Sequence, residues 1–165
     1  MWKHTYDWSL CRGYGEGMKL TFMPGLHDTD HYVEEAGRRM RAARAGRLEA
    51  VHISDDAYDL VEPCIGRHWP GYNSGYRTAL IAIGAPQWRD IAPDLKRQSD
   101  RLRFVSASQI RLYPPHQYYA DRLPRLRMLQ RHLAARIEIA DMLDGLREVL
   151  DRWTKIWPVI HMHGY

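Results

Sequence analysis

Leu126, Leu129, Leu133, Ile137, Ala140, Leu143, Leu146, Leu150, Trp153 and Trp157 follow one another at steps of three or four. That spacing keeps apolar side chains on one face of an α-helix. Met128, Ile139 and Met142 widen the apolar arc, so this face is expected to be covered on more than one side. The pattern predicts a long amphipathic helix over residues 121–157. Asp121 would cap it, Pro124 is tolerated in its first turn, and Pro158 would end it. Asp144-Gly145 is the weak point, where one helix would divide into two.

A different period opens the chain. Trp2, His4, Tyr6, Trp8 and Leu10 alternate with Lys3, Thr5, Asp7 and Ser9, and Met18, Leu20 and Phe22 alternate with Lys19 and Thr21. Period two marks half-buried strands, and the glycines between them suggest a turn, so a β-hairpin over residues 2–23 is predicted. Trp2, Tyr6, Trp8, Leu20 and Phe22 would then share a face.

After the break at Pro24-Gly25, Asp28, Thr29 or Asp30 can cap a helix through Tyr32, Val33, Ala36, Met40 and Ala43 that Gly46 should stop. Leu48 to Ile53 predicts a short strand, and a helix beginning near Ser54 should end near Pro63. Thr78 to Ile83 predicts a buried strand, Pro86 a helix start, Pro93 a further start or a kink, and Phe104 to Tyr113 a further strand. A short tail follows the last helix. The order fits an α+β (mixed α/β) fold: one domain over residues 1–165, with helices packed on a small sheet.

Composition adds little to this picture. A hydrophobic share of 45% and a charged share of 27% are ordinary for a globular domain, and no apolar run approaches membrane-span length. Lys3, His4 and Asp7 oppose a signal peptide, so the expectation is a cytoplasmic protein or part of a cytosol-assembled particle, with no membrane insertion. Cys11 and Cys64 are too few and too far apart for a disulfide framework or zinc knuckle. The net charge of +4 rests mainly on arginine, which suits phosphate or carboxylate.

Several tracts could carry chemistry or contact. Gly13-Tyr14-Gly15-Glu16-Gly17 resembles a phosphate loop only in its glycines: it lacks the following lysine and carries Glu16, and a hairpin turn explains the glycines at no extra cost. His27 and His31, with Glu35 one further turn on and His161 and His163 at the end of the chain, are the candidate metal ligands. Helix capping by Asp28 and Asp30 accounts for the same tract, and no metal or other cofactor is expected. His52 beside Ser54 and Asp55 stands where a strand gives way to a helix, a common ligand position, but no second motif converges on it.

Arg41, Arg44 and Arg47 are the candidate contacts for phosphate or an acidic partner, since Glu34 and Glu35 can pair with Arg38 and Arg39. Arg122, Arg125, Arg127 and Arg131 form a second such cluster, continued by Arg136. Two aromatic tracts are candidate docking loops: Arg67, His68, Trp69, Tyr72, Tyr76 and Arg77, then Tyr113, His116, Tyr118 and Tyr119. Folding back over their own core is the competing explanation.

These features together predict a non-enzymatic interaction protein, a subunit or adaptor of a larger assembly such as a virion. Its partner would be another protein or a second copy of the chain. A nucleic-acid-binding protein and a small metal-assisted hydrolase are the alternatives.

Overall fold

The computed structural model describes residues 5–8, 19–27, 29–69, 71–72, 79–104 and 136–164. Strands β1 (Thr5–Trp8), β2 (Lys19–Gly25), β3 (Ala50–Ser54), β4 (Ile81–Gly84) and β5 (Val159–Gly164) form one sheet in the order β1-β3-β2-β5-β4. β1 runs parallel to β3, and the other pairings are antiparallel. Four helices are described: α1 (Thr29–Arg44), α2 (Asp55–His68), α3 (Ala85–Phe104) and α4 (Arg136–Trp153). The fold is α+β.

The predicted hairpin does not form, because β3 lies between its two strands. β3 is buried over Ala50–Ile53, so its backbone groups need a partner strand on each side. Residues 9–18 are ample to bridge the roughly 10 Å that one intervening strand adds. Register nevertheless keeps four of the predicted set together, Tyr6 aligning with Val51 and Phe22, and Trp8 with Ile53 and Leu20; Trp2 lies outside the described residues.

Other boundaries also move. α2 runs through Pro63 to His68 and α3 through Pro93 to Phe104. A proline inside a helix costs about 3 kcal/mol. Burial of Leu60, Val61 and Ile65 on α2, and of Trp88, Ile91 and Leu95 on α3, offsets that cost. Phe104 is therefore the end of a helix and not the start of a strand; residues 105–113 lie outside the described residues. α4 is unbroken at Gly145, where Leu143 and Leu146 are both buried, and it ends at Trp153, four residues before the predicted end. Residues 121–135 lie outside the described residues. The predicted tail is β5, whose period-two pattern seats it between β2 and β4.

α1 ends as its sequence dictates. Gly46 adopts φ 71°, Arg47 N–H donates to Ala42 O at 2.9 Å, and Gly46 N–H donates to Ala43 O at 3.0 Å. That is a Schellman closure, which favours glycine at its left-handed position.

The pleat divides the sheet into two unlike faces. Leu20, Phe22, Val51, Ile53, Ile81, Ile83, Ile160 and Met162 form one core with buried residues of α2, α3 and α4. Met23 and Ala50 form a smaller cluster with Met40 and Ala43 of α1. α1 thus covers one face and the other three helices cover the opposite one. No described helix is long and apolar enough to cross a membrane.

Candidate anion-binding site

α2 and α3 bring together a cluster that sequence spacing foreshadows only in part. Cys64 and Arg67 are three apart on α2; Asp94, Arg97, Gln98 and Arg101 recur at helical spacing on α3. With Pro63 they line a cleft of about 150 Å³. At its base the Asp94 side chain is 1% exposed. A buried carboxylate is costly unless charges and hydrogen bonds answer it. Here Arg67 Nη1 lies 3.0 Å from Oδ2, His68 Nε2 lies 2.7 Å from the same oxygen, and Arg97 pairs with Oδ1.

The two guanidiniums are held at their inner edges, and each side chain stays 58% exposed. Arg101 is exposed and forms no ion pair among the described residues. Three guanidiniums against one carboxylate leave an excess of two positive charges. Burial pushes the Cys64 thiol up to about 11, although Arg67, Arg97 and Arg101 all pull it down. The thiol is protonated at neutral pH, and Sγ donates to Leu60 O at 3.8 Å. A thiolate nucleophile is not what this cleft presents.

The first aromatic tract divides. Arg67 and His68 belong to the cleft's charge network, whereas Trp69 and Tyr72 are half-buried and pack against the protein's own core. Their ring centroids lie 5.6 Å apart. The Tyr72 hydroxyl donates to Glu62 Oε1 at 2.8 Å and accepts from Tyr58 at 2.7 Å. Tyr76, Arg77, Tyr113, His116, Tyr118 and Tyr119 lie outside the described residues, as do Arg122, Arg125, Arg127, Arg131 and the 13–17 loop.

The α1 arginines do not act as one set. Arg41 and Arg47 are exposed, but Arg44 is half-buried against His163 Nδ1. Nor does Arg39 pair with Glu35 as predicted, since its guanidinium donates to Pro24 O at 3.1 Å and lies 5.7 Å from the Trp157 ring centroid. Glu34 and Arg38, both exposed, form no ion pair with each other. A carbonyl and an indole face hold one cation in place, where an exposed pair would add little.

His52, His161 and His163 stand on the α1 face of the sheet. His161 Nε2 donates to the His27 backbone oxygen at 2.8 Å, and Glu35 and Arg39 line the same small recess. Burial lowers the His161 pKa below its usual value; the His27 carbonyl opposes that and Arg39 reinforces it. The His31 side chain lies outside the described ones, and among those described no three His, Cys, Asp or Glu gather as metal ligands. One row of the sheet aligns Asp7, His52, Thr21 and His163 across four strands. His52 Nδ1 meets Thr21 Oγ1 at 2.8 Å, both residues being buried.

Sequence reading missed Asp94, Arg97 and Arg101. The available signal was the acid–base spacing on α3, which Pro93 obscured by suggesting a helix start or kink. Compared with family models, curated proteins and solved structures, the chain matches none.

Proposed function

We propose that the protein is a non-enzymatic interaction protein, a subunit or adaptor that docks an acidic segment of a partner protein on the α2–α3 face. The observation that supports this reading is the charge excess around buried Asp94. Arg67 and Arg97 are oriented before any partner arrives, and Arg101 stands beside them without an ion pair among the described residues. Guanidiniums fixed in advance lose less side-chain entropy on binding a carboxylate or phosphate than mobile ones. The protonated Cys64 and the buried Thr21–His52 pair favour binding over nucleophilic chemistry.

The test is partner capture by wild type, Arg101→Glu and Arg41→Glu from native lysate, with and without nuclease. A discrete protein should be retained after nuclease, with capture reduced roughly tenfold or more by Arg101→Glu, equivalent to about 1.4 kcal/mol. Arg41→Glu, on the other face of the sheet, should leave capture unchanged. Retention of nucleic acid alone, or capture indifferent to Arg101→Glu, would overturn the reading.

A further inference from the structure

We infer that the α2–α3 cleft is a phosphate site, and that its ligand is a phosphate monoester carried by a side chain of the docked partner. The inference rests on the docking reading above and names the group that is docked. Three observations lead to it.

The first is charge. Arg67, Arg97 and Arg101 outnumber the single carboxylate of Asp94 by two. A phosphate monoester carries close to two negative charges at neutral pH, its second ionisation lying near 6. A carboxylate, or the phosphodiester of a nucleic-acid backbone, carries one and would leave a cation unanswered. The excess therefore favours a monoester on a protein over a polynucleotide.

Size points the same way. A cleft of about 150 Å³ holds several waters at roughly 30 Å³ each, enough for a tetrahedral oxyanion. It falls well short of the roughly 300 Å³ and upward of typical small-molecule pockets, so a nucleotide would not be enclosed.

Donor supply is the third. Each guanidinium has five N–H groups, and the contacts of Arg67 and Arg97 to Asp94 engage only part of each set. The remaining N–H groups, those of Arg101 and the Gln98 amide suit the three oxygens of a monoester. Asp94 is the positioning residue: buried and held by His68, it keeps two guanidiniums aimed while staying below the anion.

The experiment is calorimetric titration of the full chain at low ionic strength with inorganic phosphate, O-phosphoserine, dimethyl phosphate and acetate. Wild type, Arg101→Ala, Arg101→Lys and Arg41→Ala are compared, with thermal midpoints as a folding control. Phosphate and phosphoserine should bind, and the two monoanions should bind roughly tenfold more weakly or worse. Arg101→Ala should weaken phosphate roughly tenfold without moving the midpoint, Arg101→Lys should recover part of that loss, and Arg41→Ala should change nothing. Affinity for phosphoserine should rise as pH passes through about 6, where the monoester gains its second charge. Acetate binding equal to phosphate, or phosphate binding indifferent to Arg101→Ala, would overturn the inference. Partner capture lost in Arg101→Glu with no phosphate binding would also overturn it while leaving the docking reading intact. Phosphate binding with capture unaffected by Arg101→Glu would overturn the docked partner as the source of the ester.

Discussion

The two faces of the sheet differ in what holds them. Under α2, α3 and α4 the contact is aliphatic and aromatic, with Phe22 edge-on to Trp88 at 5.9 Å between centroids. Under α1 the apolar contact is small, and the same strands present Thr21, His52, His161 and His163 beside Met23. Shape decides stability on the first face, because a void there loses dispersion and transfer energy. Pairing of single polar atoms decides it on the second, because each buried donor or acceptor must find a partner. Substitutions on the two faces should therefore fail in different ways.

The largest expected effect lies on the apolar face. Trp88 is fully buried, so Trp88→Ala should cost about 3–5 kcal/mol in equilibrium denaturation. A cost below about 1 kcal/mol would remove the distinction between the faces. The matching test on the polar face is Gly25→Ala. A Cβ at Gly25 would lie 2.6 Å from His161 Cε1 and 2.8 Å from Nδ1, on a ring fixed by its bond to His27. The ring has to shift, and overpacking of this kind typically costs about 1–3 kcal/mol. Gly25→Ala as stable as wild type would show that the His161 ring is not held there.

The apolar face was also the legible one. Period two in β1 and β2 and steps of three and four through α4 identify elements and inward positions, because burial acts on every turn or every second residue. Strand neighbours were not legible: nothing local to Trp8 or Leu20 shows that β3 will divide their strands, since pairing is settled by long-range closure. β5 was overlooked although Val159, His161 and His163 alternate with Ile160 and Met162; histidine does not register as apolar, yet His161 is buried. The cleft was half visible. Arg67 and His68 drew notice as part of an aromatic tract, but their common partner Asp94 lies on another helix, beside a proline that masked the helical spacing. The α1 arginines looked equivalent in sequence, and only the packing of α1 on the sheet reveals that Arg44 stands at His163.

A smaller effect should appear with pH. Burial holds the folded His161 pKa below its unfolded value of 6.5, so the unfolded chain takes up the proton first as pH falls. The stability tied to a neutral His161 is complete above about pH 6.5 and is lost as pH drops from there toward the folded value. His161→Gln keeps a donor for the His27 carbonyl but cannot titrate. Its stability should fall less between pH 7 and pH 5 than that of wild type, the difference in slope being at most about 1.4 kcal/mol per pH unit. Parallel profiles would mean that His161 is not the titrating group on this face.

The smallest effect concerns the arginines that lie on opposite sides of the sheet. Arg38, Arg41 and Arg47 are exposed on α1 and its closing turn without ion pairs among the described residues, whereas Arg67, Arg97 and Arg101 line the cleft beyond the other face. A duplex lying along α1 would meet about three of these cations, and each neutralised phosphate contributes a slope near −0.9 in log affinity against log salt. The expected slope is about −2.7, a loss of roughly fortyfold between 50 and 200 mM salt, which leaves little affinity at physiological ionic strength. Replacing Arg38, Arg41 and Arg47 together with alanine should shift folding stability by no more than about 0.5 kcal/mol per site and abolish the weak binding. DNA titrations at three salt concentrations measure the slope. A slope near −8, with binding retained at physiological salt, would mean about nine neutralised phosphates, three times what the α1 cations supply. Nucleic acid would then replace an acidic protein as the favoured partner.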